Sequence, residues 1–518
     1  MSNSTNLVVP VVLWGKTPPT HCISCIYLSE DQHTLITGCH DGQICLWQVE
    51  PDTFKMTPRC LLVGHTAPIL CMAKASIIQD NNFIVTSSEL GEMCTWDLVD
   101  GKCRESVKLA FVHTNMQPYQ MNTCEDVRLF CNGCYAEVLV MDPFSLEIIF
   151  SLSSKVNPDW ISALYVLRPN KRKDDVVLAL TTTATVKVWT LSGSETKQSE
   201  PIYEHESKPI RCLNALTISC CATLQRTVLI VCAKYWQIYD ASDFSVLCTV
   251  ISHRGERWLG GEFLSLDRIL VWTDEGKAYL YKLPSNCVAD NMDFHKKSSD
   301  VDTPYLYCIC CYNQVKPLSC PPAFRFFTQP NVGKFLLRGD SDGRVLVWQI
   351  PDVTQERMMG APPPLTQQPL KVTSIAQNWA AVHPPPVGIL DQLDSHDEPP
   401  IKLTASIYLP QHSRLVLGRE DGSIIIVPAT QTVMLQLLHG SHQQYDDWPP
   451  HQLLVGHQGR VNCLLYPNHV HPRYEKCHLL SGGEDFAVCL WDLFAGNLLH
   501  RFCVHAGEIT QLLVPPNT

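Results

Sequence analysis

A histidine, a serine and an aspartate stand at 457, 481 and 485, the three residue types of a nucleophilic triad. In such a site the imidazole takes the serine proton and the carboxylate orients the imidazole. Trp491 follows the acid by six residues, and a triad has no use for it. Other fragments also invite chemistry. WGKT at 14–17 ends like a phosphate-binding loop, but Pro10 stands where that loop needs glycine, and Pro18 and Pro19 stand where its helix must begin. The pairs Cys22/Cys25, Cys131/Cys134 and Cys308/Cys311 have zinc-ligand spacing. On one strand, however, Cys22 and Cys25 point to opposite faces. The HExxH pattern is absent. No catalytic residue, cofactor or metal is expected.

The segment around Asp485 recurs along the chain. SGGEDFAVCLWD (481–492) is echoed by HDGQICLW (40–47), SDGRVLVW (341–348) and EDGSIIIV (420–427), each with its acid six residues before the last position. SELGEMCTWD (88–97) keeps the Trp-Asp pair, with Leu90 in place of the acid. Weaker copies place the marker at 141, 189, 239 and 281, so the first five steps are 49, 45, 48, 50 and 42 residues. Each copy alternates β-branched or aromatic residues after a DG-type turn, as a hairpin does. Helical apolar periodicity is nearly absent. A period in the forties with G-H and W-D signatures indicates a β-propeller with four strands per blade, hence an all-β chain.

These signatures resemble WD40 repeats. The resemblance implies a hydrogen-bonded chain of His, Ser or Thr, turn acid and Trp across each blade, here His457, Ser481, Asp485 and Trp491 in the most complete copy. Because that network repeats and a triad does not, a structural role is expected. The first copy keeps Thr37, Asp41 and Trp47, with Pro19 at the histidine position. The second keeps His65, Thr86 and Trp96. The seventh keeps Asp342 and Trp348, with Arg338 at the Ser/Thr position.

Seven copies fit before residue 350, giving one closed seven-bladed propeller at 1–350 that LVVPVVLW (7–14) would close as the outer strand of blade seven. Residues 351–400, with APPPL, HPPPV and DEPP, are expected to be a stiff linker. Residues 284–320 are expected to be an irregular insertion holding Cys308, Cys310, Cys311 and Cys320. Residues 401–518 hold the first blades of a second propeller: two blades and one further strand, HAGEITQLLVPP (505–516), so that the chain reads as a fragment of a longer protein. Trp160, Trp236 and Trp448 are candidate exposed anchors for a partner.

A net charge of −11 argues against a surface that follows nucleic-acid phosphates. No apolar run reaches the roughly 18–20 residues of a membrane span, and no leader is evident, so a soluble cytoplasmic chain is expected. Its 25 cysteines are scattered and odd in number, as befits reduced, buried thiols.

Longer strings are more specific. HCIS (21–24), TGCHDGQICLW (37–47), NPDWIS (157–162), GREDGSIIIVPATQT (418–432) and GEITQLLVPP (507–516) resemble the N-terminal region of the rabconnectin beta subunits. That resemblance implies a non-enzymatic scaffold, longer than this chain, that pairs with a large WD-rich alpha subunit. The complex promotes assembly of the vacuolar ATPase on endosomes and synaptic vesicles, with membrane contact through partners. A second expectation is a substrate receptor of a cullin ubiquitin ligase, although the Trp-Asp-x-Arg of such receptors is WDLV and WDLF here. A third is a vesicle-coat scaffold.

Overall fold

Every apolar run that follows a DG-type turn becomes the third strand of a four-stranded antiparallel sheet. In the first sheet, Ile23–Leu28, Thr34–Cys39, Ile44–Glu50 and Lys55–Leu62 pair in chain order. The computed structural model describes residues 21–515, apart from 77–81, 121–125, 196–199, 289–303, 353–364, 382–400, 429–450 and a few single positions. Within it nine sheets repeat this order. The alternation read from the sequence sets the faces, and burial falls from the second and third strands outward. Val127–Gly133 is buried throughout, whereas Leu498–Phe502, a fourth strand, is mostly exposed.

The core lies between sheets. Trp96, Cys94 and Ile84 of the second sheet pack on Ile36, Leu46 and Tyr27 of the first. Trp189 and Val177 of the fourth pack on Phe130, Val140 and Leu152 of the third. Leu336, Leu346 and Trp348 of the seventh meet Leu270, Ala278 and Leu280 of the sixth. The series returns to its start: Ile23, Leu35 and Trp47 of the first sheet pack on Phe335, Leu337, Val345 and Val347 of the seventh. The Ile23 N–H donates to the Asp340 carbonyl at 3.0 Å. Seven sheets therefore close a ring, which leaves no inner strand without a neighbour. The eighth and ninth sheets share their own cluster around Trp491, Leu479, Ile424 and Ile426.

Three expectations about the segments between copies need correction. The fourth strand of the seventh sheet is Lys371–Ser374, antiparallel to Arg344–Ile350; residues 7–14, expected in that place, lie outside the described residues. The stretch 351–400 is accordingly more than a linker. Its Leu365–Gln367 adds in parallel to the edge of the sixth sheet, and Ile375–Ala380 forms a short helix. The insertion at 284–320 likewise contains a regular element, since Tyr305–Cys310 is the fourth strand of the sixth sheet. In each case a long excursion returns to satisfy an open edge, because unpaired strand N–H and C=O groups are costly when covered. Beyond the ninth sheet, 505–515 holds no paired strand among the described residues. Yet the Ile509 N–H donates to the Gly483 carbonyl at 3.0 Å, the contact Ile23 makes with Asp340 at the ring seam.

Candidate functional site

The polar residues singled out by the repeat gather on one rim of the sheets, where the turn between second and third strands meets the loop entering the next sheet. In the ninth sheet the expected chain is complete. The Trp491 indole N–H donates to Ser481 Oγ at 2.8 Å, and Ser481 Oγ lies 2.7 Å from His457 Nε2. His457 Nδ1 lies 2.9 Å from Asp485 Oδ1. The indole can only donate and the carboxylate can only accept, so Nδ1 carries the imidazole proton and the serine hydroxyl donates to Nε2. Asp485 also accepts the Gln458 N–H at 3.0 Å and the Arg501 guanidinium at 2.7 Å. Burial pushes its carboxyl up, but the bonds from Gln458 and His457 outweigh burial and hold it below the usual range. What separates the arrangement from a triad is that Ser481 is wholly buried and its oxygen also accepts the Trp491 indole N–H.

The first sheet repeats the chain with one difference from expectation. His21, not the position of Pro19, is the histidine: Nε2 lies 2.8 Å from Thr37 Oγ1, which accepts the Trp47 indole N–H at 2.9 Å. The separation from His21 to Thr37 is 16 residues, against 21 and 24 in the other two histidine copies. A short first hairpin thus moved the histidine out of register with the repeat. Asp41 is exposed and caps its own turn through the Gln43 N–H, so the chain stops at the imidazole. In the second sheet His65, Thr86 and Trp96 bond as expected, at 2.7 and 2.9 Å. With Leu90 at the acid position, Glu92 approaches His65 Nδ1 to 3.7 Å instead.

The DG glycines explain why turn and loop are inseparable. Gly42, Gly343 and Gly422 have φ of +87°, +74° and +87°, and a Cβ there would stand 2.5, 2.9 and 2.7 Å from the carbonyls of His65, His21 and His457. Only glycine fits.

The seventh sheet departs further. Asp342 is exposed, held near Arg344 at 3.3 Å. The buried acid is Asp340, two residues earlier, which takes Arg338 Nη2 at 3.0 Å and the N–H groups of Asp342 and Arg344. Arg338 also donates to the Gly276 carbonyl at 2.7 Å and lies over the Trp348 ring. Residues two apart on a strand share a face, so the RGD spelling carried this pair in plain view.

The remaining sheets use substitutes that the repeat did not reveal. His113 Nδ1 lies 2.7 Å from the Tyr135 hydroxyl. Buried Lys187 donates to Ser154 Oγ at 2.7 Å and to the Val156 carbonyl, beside Glu204. Burial raises Glu204, but the Ser154 hydroxyl and the Val156 and Lys155 N–H groups bring it to about 2. Tyr239, at a tryptophan position, donates to Gln237 at 2.6 Å. Glu256 accepts from Tyr279 and Lys277, both at 2.7 Å.

His113 carries a testable pH dependence, because burial holds its imidazole down to about 4. An unfolded histidine titrates near ~6.5. Protons therefore favour the unfolded chain: the stabilisation is complete above about pH 6.5 and is lost as pH falls toward about 4, a change of about 3 kcal/mol. His113→Gln is expected to flatten the pH dependence of the urea midpoint across that window. An unaltered slope would show that the imidazole is not held neutral.

Of the three candidate anchors, Trp236 is wholly buried in the interface of the fifth and sixth sheets, and Trp448 lies outside the described residues. Trp160 is 53% exposed. Its loop is pinned by Asp159, whose carboxylate accepts the Trp160 and Thr183 N–H groups and the Thr182 and Thr183 hydroxyls, each at 2.8 Å. Thr182 links it along the rim to Asn214, beside exposed Leu213. A large aromatic on a rigid loop loses little entropy on binding.

The stretches 15–48, 56–97 and 448–492 match the family described as WD domain, G-beta repeat, and they are the stretches whose tryptophans bond to a histidine-linked Ser or Thr. The chain folds as a WD40 β-propeller. Among relatives of this WD40 chain, WD repeat-containing protein 72 of Homo sapiens is 33% identical over 530 residues, covering 98% of this chain and 46% of that protein. That of Mus musculus is 33% identical with 98% and 47% covered. The chain thus spans about half the length of these relatives. Saccharomyces cerevisiae Sqt1 is a solved structure 11% identical, with a TM-score of 0.46, covering 63% of this chain and 83% of that one.

Proposed function

We propose that this WD40 chain is a non-enzymatic scaffold, a subunit of a rabconnectin-like complex that promotes vacuolar ATPase assembly and acidification of endosomes and synaptic vesicles. It reaches those membranes through a large WD-rich alpha subunit and peripheral ATPase subunits. The observation that carries the scaffold role is Trp160, an exposed indole on a loop fixed by Asp159. The polar networks beneath that rim are spent on holding blades together, which is the reason for excluding catalysis. The resemblance in NPDWIS, which contains this tryptophan, supports the choice of complex. No helix among the described residues is long and apolar enough to cross a membrane, in keeping with attachment by partners.

The test is a pull-down with residues 1–518 from cytosolic and membrane extracts, beside Trp160→Ala. The native chain is expected to recover the WD-rich partner and ATPase subunits, and the substitution to reduce that recovery by about tenfold or more, as for an interface hot spot. Recovery of a cullin adaptor or of coat subunits in their place would overturn the assignment of the complex. Undiminished recovery with Trp160→Ala would move the contact elsewhere.

A further inference from the structure

We infer that Cys22, His40 and Cys320 form a binding site for a thiophilic divalent cation, zinc, beside the seam where the first sheet closes on the seventh. Their ligand atoms, two thiol sulfurs and one imidazole nitrogen, lie within 4.8 Å of one another. Tetrahedral zinc with Zn–S near 2.3 Å and Zn–N near 2.0 Å needs donors about 3.5–3.8 Å apart, so a closing movement of about 1 Å suffices. Cys22 and His40 meet across the first hairpin of the first sheet, and Cys320 joins them from the far end of the ring, just before the first strand of the seventh sheet.

Each donor sits on backbone that is already fixed. Cys22 immediately precedes Ile23, whose N–H is bound to Asp340, and the Cys22 carbonyl accepts the His40 N–H at 3.0 Å. His40 begins the turn that ends in Gly42. Cys320 is followed by two prolines and then by the first strand of the seventh sheet, and the preceding Ser319 N–H bonds to Ser341 Oγ at 3.1 Å. All three side chains are half-buried, open enough for an ion to enter and covered enough to strip part of its hydration. The His40 ring has no hydrogen-bond partner among the described residues.

The donor set selects the ion. Two thiolates and an imidazole are soft to borderline ligands that favour zinc over magnesium or calcium, which take oxygen donors. Without an ion Cys22 keeps its proton: burial, then neighbouring Cys320 and the Asp41 and Asp340 carboxylates, push its thiol up to about 12. On binding, each thiol releases its proton to solvent and gives a sulfur lone pair to zinc, and neutral His40 gives a nitrogen lone pair. Two protons leave, no electron is transferred, and water holds the fourth position. Other neighbouring thiols, Cys94 with Cys103, Cys212 with Cys232 and Cys248 with Cys287, lack a third donor of this kind among the described residues. The third donor is what favours a metal over a disulfide here.

The experiment uses the full 518-residue chain, purified with reductant and chelator and then titrated with cobalt(II) and zinc. One cobalt per chain is expected, with the thiolate-to-cobalt charge-transfer band and the visible spectrum of a tetrahedral ion, both abolished by zinc with release of two protons. His40→Ala should weaken binding by at least about a hundredfold, the upper range for loss of a mere outer-shell partner, with the metal-free unfolding midpoint unchanged. Cys320→Ser should do the same, which keeps the test usable if Cys22→Ser does not fold. Cobalt spectra without the thiolate band, or equal zinc affinity in His40→Ala and the native chain, would overturn the site. So would recovery of a Cys22–Cys320 disulfide as the resting state in chain isolated with thiols trapped at lysis.

Discussion

Replacing Arg338 by methionine is expected to cost about 3–5 kcal/mol of ring stability, the usual penalty for removing one partner of a buried ion pair. The side chains of Arg338 and Asp340 are 1% and 0% exposed. Without the guanidinium, Asp340 keeps two backbone donors and a negative charge that is wholly buried. The loss also cuts the bond from Arg338 to the Gly276 carbonyl, a polar tie between the sixth and seventh sheets. A companion substitution gives the idea its edge. Arg338→Met with Asp340→Asn removes both charges while the amide oxygen still accepts the Asp342 and Arg344 N–H groups, and is expected to recover part of the stability because no buried charge is left unpaired. Urea unfolding of the full chain, followed by amide exchange in Gly333–Gly339, measures both. A double variant as unstable as the single one would sink the explanation. Asp342→Ala, at the position the repeat marks as the acid, should change stability by no more than about 0.5 kcal/mol.

Asp485→Ala should destabilise the ninth sheet by about 3 kcal/mol, because it strips the His457 ring, the Gln458 N–H and the Arg501 guanidinium of one shared acceptor. The imidazole then loses its orientation, and Ser481 and Trp491 lose theirs in turn. Trp491→Phe keeps most of the ring volume and forfeits only the bond to Ser481, so about 1–2 kcal/mol is expected. The order of the two effects is the test, read from exchange protection of the Val488–Asp492 amides. Equal protection in Asp485→Ala and the native chain would mean that the network contributes nothing. The acid dependence has a definite sign. The Asp485 carboxyl is held below its unfolded value, so its contribution is present above the ordinary carboxylate range and fades as pH falls through that lowered value.

The blades were legible because their third strands carry the same period-two pattern after a turn that glycine must make. The ninth-sheet network was legible residue by residue, since His457, Ser481, Asp485 and Trp491 all keep standard spacing. What escaped did so for local reasons. His21 lies on the short side of a shortened hairpin. Asp340 does its work from the end of a strand rather than from the turn, so the turn acid Asp342 took its place in the pattern. Glu92 stands in for Leu90 from two residues away. The strands Tyr305–Cys310, Leu365–Gln367 and Lys371–Ser374 follow long excursions, where no fixed spacing announces them, and they are recruited by sheet edges rather than declared by their own sequence. The Cys22, His40 and Cys320 group is completed only by ring closure, which brings Cys320 to the hairpin that already pairs Cys22 with His40.

Ring closure also sets a timetable. The inner strand Ile23–Leu28 finds its partner face only when Ala323–Gln329 and Gly333–Gly339 exist, close to three hundred residues later. At ~5–20 residues per second of synthesis, that interval is roughly 15–60 s. Throughout it Ile23, Leu35 and Trp47 present an uncovered apolar flank to solvent. The first blade is therefore the oldest part of the ring and the last to be sealed, and the nascent chain needs a chaperone most over that flank.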